Sequence, residues 1–257
     1  MVAADGGVFT NGSAAGFFGS AARTRLRTPM VAIAEVPSTQ VGSAKACCLG
    51  YWLAAAGGGV FTFGSARYNG SMGGKHLNAP VVGIAATPTG KGYWLVARDG
   101  GVFTFGDARF LGSAVGRSSS PVVGMAATSD GGGYWILHSN AVVDAYGDAP
   151  AAQVRSGLPS GEHAVGLTPD QSGHGFYVAG SSGTVLSAGD APALSAGGGI
   201  AHPVVAIGPA GLSDRSSSAR LLEADGTVVT IGSLGVTART AGSTHLNAPV
   251  VGFSQIF

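Results

Sequence analysis

The chain has 257 residues, only 11% of them charged, and a net charge of +1. Non-specific nucleic-acid binding needs clustered Lys and Arg, so this balance argues against it, and no acidic tail is present. No apolar run approaches the ~18 residues of a membrane-spanning helix.

Taken in order, residues 1–20 give a short strand, an Asp5-Gly6 turn, a strand beginning at Val8, and an outer strand at Phe17-Phe18-Gly19-Ser20. The segment Met1–Phe18 lacks the charged n-region and apolar h-region of a signal peptide. Residues 21–28 link to the next repeat and carry Arg23, Arg25 and Arg27, which share one side if the link is extended. They are either a solvated loop or an anion or polymer contact. The repeat that starts at Pro29 spends 21 residues reaching Gly50, where Pro80 reaches Gly92 in 12. The insertion falls within 34–49, in the first hairpin, and holds the only cysteines, Cys47 and Cys48. Adjacent cysteines cannot staple distant segments, which leaves two free thiols or a vicinal disulfide.

The next repeat is the plainest. Gly92–Ser113 reads GYWLVARDGGVFTFGDARFLGS, two apolar runs joined by Asp99-Gly100. A two-residue type I′ turn is expected there, because Asp-Gly between β-rich runs is a strong hairpin signal. Pro80–Ala86 precedes it as a strand and Arg109–Gly112 follows as a short outer strand. Trp52, Trp94 and Trp135 occupy one slot of the repeat, with Tyr177 in the fourth. They are either a carbohydrate-stacking platform or, as the internal symmetry favours, packing between neighbouring repeats. Asp144 replaces the phenylalanine of Phe9, Phe61 and Phe103. Strand parity counted from Ser139-Asn140 puts it on the face opposite His138, so no dyad is expected. Further on, Asp225-Gly226 is the hairpin turn of the fifth repeat and 211–218 a polar loop. His76 and His245 sit in a repeated His-Leu-Asn-Ala-Pro before a strand, as backbone hydrogen-bonding groups or as ligands.

The third-strand valines Val8, Val60, Val102, Val143, Val185 and Val228 are spaced by 52, 42, 41, 42 and 43 residues. Glycine is too frequent for helix interiors, and no long 3.6-residue period appears. Six copies of about four strands fit an all-β, six-bladed β-propeller. The copies fall near 1–28, 29–79, 80–120, 121–162, 163–202 and 203–248, with 249–257 completing the first in a single domain 1–257. The strand at Val250–Phe253 is therefore expected to pair with Val2–Ala4 and close the ring.

Catalytic signatures are absent. Asp5, Asp99 and Asp225 serve turns, and Asp107, Asp148 and Asp190 recur in Gly-Asp-Ala. The other acids show no paired-carboxylate spacing, the six histidines no metal spacing, and no G-x-S-x-G, H-E-x-x-H or C-x-x-C occurs. No cofactor is called for, and a propeller hydrolase with a site assembled across blades is the least favoured alternative.

The stretch PVVGIAATPTGKGYWLVARDGGVFTFGDARFLGS resembles the GYWLVASDGGVF-type repeats of actinobacterial envelope and secreted proteins, which often accompany cell-wall hydrolase or protease domains. The likeness is close over 50–135, good over 1–33 and 200–257, and loose in the fourth repeat. It implies adhesion, scaffolding or polymer recognition and carries over no catalytic residue.

The expectation is a non-catalytic binding and scaffold propeller of the actinobacterial cell envelope, extracellular, recognising a glycan or protein surface and able to enter a larger assembly. The alternative is a virion structural or host-attachment protein. The largest departures from the repeat lie in the first hairpins of their blades, on one rim. The candidate binding residues are Arg23, Arg25, Arg27, Thr39, Gln40, Lys45, Cys47, Cys48, Asp214 and Arg215.

Overall fold

Hydrophobic alternation and frequent glycine specify strands and tight turns, and the described residues contain strands and no helix. The computed structural model describes residues 1–10, 16–37, 48–196, 199–209, 218–232, 235–240 and 246–252. In chain order these begin with β1 (Val2–Ala3), followed by β2 (Met30–Pro37), β3 (Cys48–Ala55) and β4 (Val60–Gly64). Next come β5 (Val81–Ala86), β6 (Tyr93–Ala97) and β7 (Val102–Phe105), then β8 (Val122–Ala127), β9 (Gly133–His138) and β10 (Val143–Gly147). The second half has β11 (Ala164–Pro169), β12 (Phe176–Gly180) and β13 (Val185–Ala188). It ends with β14 (Val204–Pro209), β15 (Ser218–Glu223), β16 (Val228–Gly232), β17 (Gly235–Thr240) and β18 (Val250–Gly252).

These form six antiparallel sheets: β2-β3-β4, β5-β6-β7, β8-β9-β10, β11-β12-β13, β14-β15-β16-β17, and the pair β1-β18. Residues from the two ends of the chain thus share a sheet, with Val2 opposite Gly252 and Ala3 opposite Val250. The first strands touch in a cycle, β2 to β5, β8, β11, β14, β18 and back to β2. This all-β repeated architecture is propeller-like.

The core is divided accordingly. Six apolar clusters each span two neighbouring sheets, for example Trp52 and Ile84 with Tyr93, or Trp94 and Met125 with Tyr134. Trp52, Trp94 and Trp135 are at most 1% exposed, which settles their packing role. The Trp52 ring lies 5.4 Å from Tyr93, Trp94 lies 5.7 Å from Tyr134, and Trp135 lies 5.8 Å from Phe176, always across a sheet boundary.

Among the described residues only β14–β17 has a fourth strand. Elsewhere the outer segment leans on the following sheet. The Tyr93 hydroxyl donates to Gly70 O at 2.6 Å and accepts from Asn69 N–H, and Tyr134 does the same with Gly112 and Leu111. Tyr51 repeats the pattern with Gly19 and Phe18.

The hairpin turns differ from the two-residue expectation. Gly100 N–H donates to Ala97 O at 2.9 Å and Ala97 N–H to Gly101 O at 2.8 Å, so the loop is Arg98-Asp99-Gly100, three residues long. Gly100 has φ +91°. This is a type I turn followed by a left-handed residue that forms a bulge. The other five hairpins repeat it, with Gly6, Gly58, Gly183 and Gly226 in the left-handed position and Ala141, at φ +66°, in the fourth sheet around the cycle from β1-β18.

β18 covers Val2 and contributes Val250, both at most 1% exposed. Deleting 248–257 therefore leaves β1 without its ladder partner and opens the cycle. The truncated chain is expected to lose its whole fold in one step in a circular-dichroism melt. A melt like that of the intact chain would show that closure contributes nothing.

Candidate functional site

Antiparallel strands give each sheet two ends. One carries the three-residue hairpins and, hydrogen-bonded to them, the links between sheets: Ala21 N–H donates to Gly6 O, Met72 N–H to Gly58 O and Ala114 N–H to Gly100 O. The other end carries the β2–β3 type of hairpin. Between links and hairpins at the first end lies a cavity of about 360 Å³ whose polar lining includes Arg98, Ser118, Ser119, Ser120 and His138.

His138 and Asp144 meet beneath this end, contrary to the parity expectation. His138 Nε2 lies 3.0 Å from Asp144 Oδ2. The bulge residue Ala141 shifts the register by one, so that His138 N–H bonds Val142 O and Leu137, not His138, faces Val143. A one-residue shift moves every later side chain to the other face. His138 Nδ1 lies 2.8 Å from Ser120 O, and Arg117 Nε donates to Asp144 Oδ1 at 3.2 Å. Both ring nitrogens are thus occupied, Nδ1 at a backbone carbonyl and Nε2 at a carboxylate. The ring has no nitrogen left to activate a serine, and Ser118 Oγ itself accepts from Ser120 N–H at 3.1 Å. The trio ties a link to a hairpin.

The same slot explains two further clusters. Ala97 and Phe103 fill it in the β5–β7 sheet, Ala55 and Phe61 in the β2–β4 sheet. In the β11–β13 sheet Gly180 leaves room for Glu162, whose Oε1 accepts from Ser182 N–H at 2.8 Å and Thr184 N–H at 3.4 Å. Burial pulls the Glu162 carboxyl up, but these hydrogen bonds outweigh it and hold the group below its usual range. In the β14–β17 sheet Glu223 occupies the slot, fully buried, beside His202 and Asp225. No sequence spacing marks this group, because His202 comes from the link before β14 and the acids from the hairpin after β15.

At the opposite end the Gly-Asp-Ala aspartates cap the first hairpin. The Thr87 hydroxyl donates to Asp107 at 2.8 Å. Two repeats place a second carboxylate there, correcting the expectation of no acid pairs. The Thr128 hydroxyl lies 2.7 Å from Asp130 and 3.3 Å from Asp148, and the Ser172 hydroxyl 2.8 Å from Asp170 and 2.9 Å from Asp190. Desolvation and the adjacent Asp130 push the Asp148 carboxyl up, while the Thr128 hydrogen bond holds Asp130 down. The legible signal was Thr-x-Thr at 87–89 becoming Thr-x-Asp at 128–130 and 168–170. On β2, burial pushes the Glu35 carboxyl up to about 6.

Arg23, Arg25 and Arg27 are exposed. Thr24 N–H bonds Ala21 O, so their segment turns instead of running extended, and it lies at the link end, away from the first hairpins. Cys48 opens β3. Thr39, Gln40, Lys45, Cys47, Asp214, Arg215 and His245 lie outside the described residues, and His76 is exposed.

The outer segments present what the tryptophans do not. Phe17, Tyr68 and Phe110 are 61%, 60% and 61% exposed. Each stands two residues before the positive-φ glycine, Gly19, Gly70 or Gly112, that a tyrosine hydroxyl holds. The sequence signal is aromatic-x-Gly-Ser at 17–20, 68–71 and 110–113. Exposed Arg67 and Arg109 precede the second and third rings. No protein-family model matches the chain, and no curated protein matches its sequence.

The structural reading of His138 and Asp144 is directly testable. The double variant His138→Ala with Asp144→Phe recreates the Ala97–Phe103 pair and is expected to melt at or above the parent temperature. Asp144→Ala alone removes the partner of the buried His138 Nε2 and is expected to lose about 1–3 kcal/mol in urea unfolding. A double variant as weak as the single one would contradict the equivalence of the slots.

Proposed function

We propose that the six sheets are the blades of a six-bladed β-propeller, one blade built from both ends of the chain, in a single domain 1–257. The cycle of first-strand contacts and the six inter-sheet clusters support this reading. The propeller acts as a non-catalytic binding scaffold for a glycan polymer of a cell envelope, outside the cell. The resemblance of GYWLVARDGGVF to envelope-protein repeats agrees with that location.

One observation carries the reading: Phe17, Tyr68 and Phe110 recur in one slot of successive repeats and each stays about three-fifths exposed. A single exposed aromatic needs no explanation, but three at repeat spacing form a periodic surface. Aromatic faces are large, rigid contacts, and a regular series of them suits a ligand that is itself a repeating chain of rings. Arg67 and Arg109 beside them supply donors for hydroxyl or carboxylate groups of such a chain.

The triple variant Phe17→Ala, Tyr68→Ala, Phe110→Ala tests it in a pull-down on purified insoluble cell-wall polysaccharide. Retention is expected to weaken at least about tenfold, equivalent to about 1.4 kcal/mol. The melting temperature is expected to stay within a few degrees, because exposed side chains contribute little to stability. Undiminished retention would overturn the assignment of the binding surface.

A further inference from the structure

We propose that the cavity between the β6–β7 hairpin and the link at 114–121 binds a single sugar residue, at a site separate from the exposed aromatics and independent of their reading. Elsewhere a leucine or isoleucine plugs the matching space. Leu26, Leu77, Ile200 and Leu246 each stand three residues before the proline that opens a repeat. Each packs half-buried against an apolar cluster, as does Leu158 from its longer link. Leu77 lies over the β3–β4 turn, where a Cβ added at Gly58 would meet its Cδ1 at 3.3 Å, and Ile200 lies over Gly183 in the same way. Ser118 holds this position in the link at 114–121, and there the cavity of about 360 Å³ opens.

The polar trio beneath the cavity holds it open. His138 Nδ1 lies 2.8 Å from Ser120 O, and Arg117 Nε donates to Asp144 at 3.2 Å. The link is therefore anchored on both sides of Ser118 and is kept from settling into the space. A site whose walls are already fixed binds with little ordering cost. Ligand pockets run from about 300 to 1,000 Å³, so this one is at the small end and suits one ring, not a chain.

The lining selects the chemistry. Among the described residues, the Arg98 guanidinium and the Ser119 and Ser120 hydroxyls have no hydrogen-bond or ion-pair partner in the protein. Asp99 Oδ1 accepts from Gly101 N–H at 3.0 Å, which leaves the other carboxylate oxygen to accept from a ligand. Donors and acceptors thus stand side by side, and Ala79 and Pro121 add a small apolar surface. Each hydroxyl of a sugar both donates and accepts, and the ring also presents C–H groups. A simple anion only accepts, and it would face the Asp99 carboxylate. A purely apolar ligand would strip water from these groups without replacing its hydrogen bonds.

The test is NMR titration of the full chain with the methyl glycosides of glucose, galactose, mannose and N-acetylglucosamine. At least one is expected to bind with a Kd of about 1 mM or tighter. Binding is expected to persist in the triple variant Phe17→Ala, Tyr68→Ala, Phe110→Ala, so this site and the outer aromatic surface stand or fail separately. Ser118→Leu restores the plug that Leu77 provides, and Arg98→Ala installs the residue found at Ala56 in the preceding hairpin. Both variants therefore keep the fold, and each is expected to weaken binding at least about tenfold. A melting temperature at or above the parent's in Ser118→Leu is the accompanying result, as filling a cavity stabilises. No glycoside bound by the parent, undiminished binding by either variant, loss of binding in the triple aromatic variant, or equal competition by inorganic phosphate would overturn the sugar site.

Discussion

Contact between an indole of one sheet and a ring of the next is the interaction on which the first four full sheets depend. Trp94 shows how much one side chain joins. Its Nε1–H donates to Arg109 O at 2.7 Å, which fixes the outer segment of its own repeat, and its ring packs on Tyr134 of the following sheet. The Tyr134 hydroxyl then holds the same outer segment at Leu111 and Gly112. Trp52 and Trp135 make the equivalent bonds to Arg67 O and Pro150 O. Each sheet therefore secures only its neighbours, and stability is a sum of local interfaces, as in other repeat proteins. In an open array the terminal members would lack one interface each, but the β1–β18 pair completes the cycle.

The series fades in the second half of the chain. Register places Ala219 and Arg220 of β15 where β6 has Tyr93 and Trp94. The polar groups appear over that same stretch: the His138 trio, Glu162 in the space left by Gly180, and the His202 cluster. In each a side chain under the hairpin is bonded to the link that crosses it. Link and hairpin that meet elsewhere over an alanine and a phenylalanine are joined here by charge and hydrogen bonds. Such groups demand complete satisfaction, since a buried polar atom without a partner costs more than an apolar one.

Much of this was legible in the sequence, because periodicity is a one-dimensional property. The valine spacing anticipated a repeated series of sheets, and the gap between Pro249 and Val8 foretold the pairing of residues near the two chain ends. Burial of the tryptophans followed from their recurrence in one slot. What failed depended on single-residue geometry or on contacts between repeats. Ser139-Asn140, like Asp99-Gly100, is compatible with either a two- or a three-residue loop, and the choice decides which face Asp144 shares. Asp130 meets Asp148, and His202 meets Glu223, across hairpins and links whose course strand counting does not supply. The exposed aromatics were visible as aromatic-x-Gly-Ser, but their exposure rests on the outer segment leaning on the next sheet.

The central claim is that neighbouring sheets are coupled through these rings, and a double-mutant cycle on Trp94 and Tyr134 measures it most directly. Urea unfolding of Trp94→Leu, Tyr134→Leu and the double variant gives the coupling energy. The account predicts that the two losses fall short of adding by about 0.5–1.5 kcal/mol, the value of an aromatic pair beyond its burial. Losses that add to within about 0.3 kcal/mol would mean that the rings are buried side by side without being coupled.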